Sequence, residues 1–189
     1  MKPVERAEIL DFVTYEEQRP AIQAAAIAAK KLRRVVVAEC LTFLFESHET
    51  IRYQILEMVR TERMVRERDI LHELETYNEL LGQGGELGVT LLVGLESPVE
   101  RDEKLRRWTA LPRHLYVRMA DGTQVRARWD ERQISHERLS SVQYLRFAVD
   151  GQAPVACGID FAGELVGETM LTPEQRAAIA GDLEWTPAS

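Results

Sequence analysis

Between Leu41 and Arg63 the hydrophobic pattern changes its period once, within three residues. Leu41-Thr42-Phe43-Leu44-Phe45 reads as an apolar strand, Glu46-Ser47-His48 breaks it, and the residues that follow repeat at helical spacing. Strand and helix each carry an apolar side, so the chain is expected to stack a helical layer on a sheet. On a helical wheel Ile51, Ile55, Met58 and Val59 form the buried stripe, with Leu56 at its margin, and Tyr53, Gln54, Glu57 and Arg60 fall opposite. Glu62 falls inside the apolar arc; fraying of the helix end is expected to release it, with Arg63 and Arg66 near enough to pair.

The other segments supply both layers. Thr14 is placed to cap a first helix, and Pro20 requires an early helical position or a break. Ala21 to Arg34 is alanine-rich and helical, with Lys30, Lys31, Arg33 and Arg34 suited to its C-terminal carbonyls. Val35-Val36-Val37 reads as a strand in a hairpin with Leu41–Phe45, although the connection has neither Gly nor Asn. Glu67 to Leu81 is a helix with Ile70, Leu74, Tyr77 and Leu81 inward and His72, Glu75 and Glu79 outward, the pattern of a solvated charged face. Gly82-Gln83-Gly84-Gly85 ends that helix and precedes the strand Glu86–Leu95, so it reads as a C-cap and hinge, and a phosphate loop would have the opposite order. Ser97 and Pro98 open a charged helix to Trp108, and Thr172 and Pro173 open a last helix to Leu183, with 185–189 as a tail.

The hairpin around Ala120-Asp121-Gly122 fixes a register. A two-residue Asp-Gly turn would set Leu115, Val117 and Met119 beside Gln124, Arg126 and Arg128. A three-residue loop with Gly122 left-handed aligns them with Val125, Ala127 and Trp129, as the apolar alternation requires. The other face then carries His114, Tyr116, Arg118, Gln124, Arg126 and Arg128. The strand Val142–Val149 adds Tyr144 and Arg146, with Leu145, Phe147 and Val149 inward. If these strands pair, four arginines and two tyrosines share one sheet surface, suited to a carboxylate or phosphate. The alternative is a solvated face whose arginines pair with Glu131, Glu137 or the helices. Val155–Phe161 and Leu165–Leu171 read as a closing pair of strands.

Composition narrows function by exclusion. A net charge of -7 over 189 residues argues against nucleic acid or an anionic membrane as the partner. The charged start is unlike a signal peptide, and no apolar run is long enough to span a bilayer. Cys40 and Cys157 belong to no CxxC and read as two reduced, half-buried thiols of a cytoplasmic protein. There is no Walker loop, no dinucleotide fingerprint after a strand, no GxSxG and no HExxH, and Cys and His are too few for a structural zinc site. No catalytic residue, metal ligand or cofactor follows from these patterns.

The segments KKLRRVVV (30–37), LTFLFESHETIRYQILEMVRTER (41–63), ELETYNELL with GELGVTLLV (73–93) and SVQYLRFAVD (141–150) together resemble the DUF3501 family of bacterial proteins of unknown function, over about Tyr15 to Leu183. The resemblance implies a stand-alone cytoplasmic protein. It also implies neighbours of rubrerythrin type and iron–sulfur oxidoreductases, and hence a redox-type protein partner. It carries over no catalytic residues.

The expected fold is α+β: N-terminal helices on a mostly antiparallel sheet in a single domain, 1–189, helix-rich over 1–81 and sheet-rich over 86–185. The expected function is a non-catalytic binding or accessory protein, linked to redox or peroxide metabolism through its partner. It would hold an acidic partner or small anion with Tyr116, Arg118, Arg126, Arg128, Tyr144 and Arg146, and with the Glu57/Arg60 side of the central helix. The rival is a metal-dependent enzyme or metalloprotein using Glu46, His48, Glu57, Glu62, His72 and Glu75. A third reading is a homodimer built on the apolar surplus.

Overall fold

A computed structural model describes residues 1–130 and 137–185. The helices are α1 (Phe12–Lys31), α2 (His48–Thr61), α3 (Glu67–Asn78), α4 (Pro98–Arg107) and α5 (Pro173–Leu183). The strands are β1 (Arg34–Val37), β2 (Leu41–Phe45), β3 (Glu86–Val93), β4 (Leu115–Arg118), β5 (Gln124–Arg126), β6 (Arg128–Trp129), β7 (Val142–Ala148), β8 (Ala156–Phe161) and β9 (Leu165–Met170). All described pairings are antiparallel. One sheet has the order β1-β2-β3-β7-β6 and the other β5-β4-β8-β9. The fold is α+β, as the patterning requires. β1 and β2 come from the helix-rich half, and β2 pairs with β3 from the other, so one sheet is built from both.

The ribbon 124–129 belongs to both sheets. β5 pairs with β4 and β6 with β7, and between them Ala127 donates its N–H to Leu115 O at 3.0 Å. At the far side β9 meets β1, where Thr169 Oγ1 donates to Val36 O at 2.7 Å. The two sheets thus wrap one apolar interior, with Phe43, Leu91 and Phe147 from the first facing Leu115, Val117 and Ile159 from the second. Leu105 of α4, Trp108 at its C-terminal cap and Ile179 of α5 join the same core. Val4, Ile9 and Tyr15 make a second core with Ile51, Ile55, Leu56, Val59, Ile70 and Leu74, within the helical layer. Thr90, facing that layer from β3, is buried under it.

Local chemistry explains the details. Val117 pairs with Val125, Met119 N donates to Thr123 O at 2.8 Å, and Gly122 has φ +90, so the loop has the expected three residues. Ala38 and Glu39 take positive φ in the β1–β2 turn despite their side chains. Leu56, assigned to a margin, is fully buried, whereas Glu62 is exposed at the C-terminal cap of α2. Two expectations at the N-terminus are corrected. Asp11 caps α1, accepting from Val13 N and Thr14 N, and Thr14 spends its hydroxyl on Asp11 at 2.6 Å. Pro20 does not break the helix. It sits on the exposed side, where water can satisfy the carbonyl it leaves without a donor. The tail beyond Trp185 lies outside the described residues.

Candidate functional site

The structure does not gather the four arginines and two tyrosines onto one open surface. Because the ribbon turns at Ala127, Tyr116, Arg118 and Arg126 stay on the β5-β4-β8-β9 sheet, while Arg128, Tyr144 and Arg146 go to the other. The first group is closed by its own acids. Arg118 donates to Glu168 at 3.0 and 2.7 Å, Tyr116 OH donates to the same carboxylate at 3.1 Å, and Arg126 donates to Asp160 at 2.8 and 2.5 Å. The Tyr116 ring lies across Gly158, where a Cβ would come within 2.2 Å of it, and Arg126 stacks above the ring at 5.3 Å. The Arg118 hydrogen bonds hold the Glu168 carboxyl below its ordinary value, and those of Arg126 do the same for Asp160. Each cation here has its own anion, so this face offers no unused charge. Pairing of any arginine with Glu131 lies outside the described residues.

The second group lines a cleft of about 490 Å³ between the C-terminal end of α3 and the β3-β7-β6 face, with Thr76, Glu79 and Leu80 on one side and Glu86, Arg128, Trp129, Asp130, Tyr144 and Arg146 on the other. Arg128 and Arg146 are direct cross-strand partners. Like charges in that relation repel. One carboxylate stands between them: Glu86 Oε1 is 3.0 Å from Arg128 Nη1, and Glu86 Oε2 is 3.9 Å from Arg146 Nη1. Arg146 also donates to Glu79 O at 2.5 Å, where the end of α3 presents its carbonyls. The helix can lie this close because residue 88, opposite Arg146 in the ladder, is glycine: a Cβ there would stand 1.7 Å from Leu80 O.

The Glu57/Arg60 side of α2 is an internal joint with α1. Glu57 accepts from Tyr15 OH at 2.6 Å and from Arg19 at 2.8 and 3.3 Å, with Arg60 at 3.4 Å. Burial opposes charge on Glu57, but the bonds from Arg19 and Tyr15 prevail and hold its carboxyl low. Burial and the Glu57 contact push the fully buried Tyr15 phenol up.

The residues of the metal reading do not converge. His48 Nε2 lies 2.9 Å from Glu8 Oε1, His72, Glu75 and Glu62 are exposed, and among the described residues no group of three or more His, Cys, Asp or Glu could hold a metal ion. Glu46, placed at a turn and in the metal set by the sequence, is instead a buried carboxylate beneath the helical layer. It is 1% exposed, accepts from Thr50 Oγ1 and Thr90 Oγ1 at 2.5 Å each, and burial raises its carboxyl pKa. The alternation of the strand offered one signal: Glu46 directly extends an apolar run whose every member is at least half-buried. Cys40 and Cys157 are both free thiols, and burial pushes both up.

Comparison with known proteins agrees with the segments that first suggested a relationship. A family model described as a protein of unknown function, DUF3501, matches residues 3–183. The chain belongs to the DUF3501 family. No curated protein matches it. The DUF3501 chain is similar to a crystal structure, at 1.90 Å resolution, of a novel protein of unknown function from Burkholderia pseudomallei K96243. The two are 31% identical with a TM-score of 0.87, over 97% of this chain and 100% of that one. Among the described residues, no helix is long and apolar enough to cross a membrane.

Proposed function

We propose that this DUF3501 protein is a non-catalytic binding or accessory protein that receives an acidic partner in the cleft beside α3. The observation that carries the reading is the Arg128–Arg146 cross-strand pair: two guanidinium groups face one another with Glu86 bridging them. A sheet gains nothing from that juxtaposition in itself. An arginine pair at the wall of a cleft is, however, a good carboxylate receptor. Redox or peroxide chemistry, in a cytoplasmic setting, would then belong to the partner.

The experiment is affinity capture from native cells with immobilised wild-type protein, R128A/R146A and R118A/R126A. The cleft variant should lose the captured partner, whereas the variant of the self-paired face should retain it. Equal capture by all three would remove the cleft from consideration.

A further inference from the structure

We propose that Glu86 is a built-in occupant of the arginine pair, and that the cleft's ligand is a single carboxylate, carried by an acidic peptide segment, which displaces it. This rests on the cleft reading above and gives it a ligand class and a mode of control. Glu86 is the first residue of β3, and the chain before it is fixed: Glu86 N donates to Gln83 O at 3.0 Å, and Gly151 N donates to Gly85 O at 2.9 Å. Gly84 and Gly85 take φ +57 and +84, and a Cβ on Gly85 would come within 2.8 Å of Gly151 N. That loop delivers one carboxylate to a position between two guanidinium groups, one oxygen toward each, which is the arrangement an incoming carboxylate would adopt.

The clamp is easily opened. The Arg128 side chain is 71% exposed, and the second contact of Glu86, at 3.9 Å to Arg146, is long for an ion pair. An ion pair with one partner this open to solvent holds weakly, although the Glu86 side chain itself is 20% exposed. Arg146 keeps a separate anchor on Glu79 O, so its guanidinium stays in place when Glu86 swings away. Glu79 and Asp130 also line the cleft. With those carboxylates near, a ligand carrying one negative charge is favoured over phosphate, whose second charge would be repelled. Tyr144 and Trp129 provide aromatic wall for the peptide that bears it.

The test titrates N-acetylglycine, a peptide unit with one carboxylate, into ¹⁵N-labelled wild type, E86Q and R128A/R146A while following the arginine Nε–Hε resonances. Inorganic phosphate and N-acetylglycine amide serve as comparators. E86Q should bind N-acetylglycine roughly fivefold more tightly than wild type, the gain from removing a weak competing ion pair. R128A/R146A and the amide should show no binding. Should E86Q lose its fold, E86D withdraws the carboxylate by one methylene and should tighten binding in the same direction. Equal affinities for wild type and E86Q would overturn the occupant while leaving the cleft reading intact. Phosphate binding more tightly than the carboxylate would overturn the ligand class. Binding by neither protein would overturn the inference together with the carboxylate-receptor reading.

Discussion

Thr90 donates its hydroxyl to Glu46 across the boundary between sheet and helices, at 2.5 Å, and Thr50 closes the other carboxyl oxygen from the first turn of α2. Lys30 acts on that carboxyl only at longer range, so burial dominates and raises its pKa. The folded chain therefore holds the Glu46 proton more tightly than the unfolded chain. The stability this supplies is complete below the ordinary glutamate range of ~4.3 and is lost as pH rises through the folded value. E46Q is neutral at every pH. Wild type should lose stability relative to E46Q as pH rises, with a slope of about 1.4 kcal/mol per pH unit between the two pKa values. Urea denaturation of both proteins from pH 4 to 8 checks this. A constant difference across that range would mean that Glu46 is not proton-linked to folding.

Gly88 should tolerate no side chain. In G88A the new methyl would meet the Leu80 carbonyl at 1.7 Å, and that atom is backbone. The cost of such overpacking is about 1–3 kcal/mol or more, accompanied by lifting of the α3 end from β3. Thermal denaturation and loss of amide protection at Leu80 and Leu81 are the measurements. An unchanged melting temperature would show that α3 does not rest on this strand.

Tyr15 and Glu57 join α1 to α2. Y15F leaves the ring in the core and removes only the hydroxyl at 2.6 Å from Glu57. Loss of a hydrogen bond to a charged group costs about 1.5–3 kcal/mol. Because Arg19 still compensates the carboxylate, the lower end of that range is expected. A change below about 0.5 kcal/mol in denaturant unfolding would assign the joint to packing alone.

The self-paired face should matter little to stability. R118A/R126A removes two partly exposed ion pairs, which contribute little to stability and are weakened further by salt. The two proteins should unfold at similar urea concentrations, and their difference should shrink in 1 M sodium chloride. A large, salt-insensitive loss would show instead that Tyr116 depends on the Arg126 stack above it.

The sequence made the element order and much of the register readable, because alternation at 115–129 and 142–149 tolerates only one placement of Gly122 and of Leu145. It did not reveal that the hairpin ribbon changes sheets at Ala127, since a bend of this kind has no compositional mark. That one bend separates Arg118 and Arg126 from Arg128 and Arg146. Nor could a chain read in one dimension place Glu86 between two arginines 42 and 60 residues away. Asp11 displaced Thr14 as a cap because both residue types suit that position and only packing of Phe12 and Tyr15 decides between them.

The ribbon through Ala127 has a mechanical consequence. Strands that hydrogen-bond to two sheets at once tie the sheets' fates together: pulling β5 from β4 tugs on β6, and opening β7 strips the support from β5. Neither half can unzip at leisure while the other stays native, so loss of structure in the sheets should come as a single cooperative event.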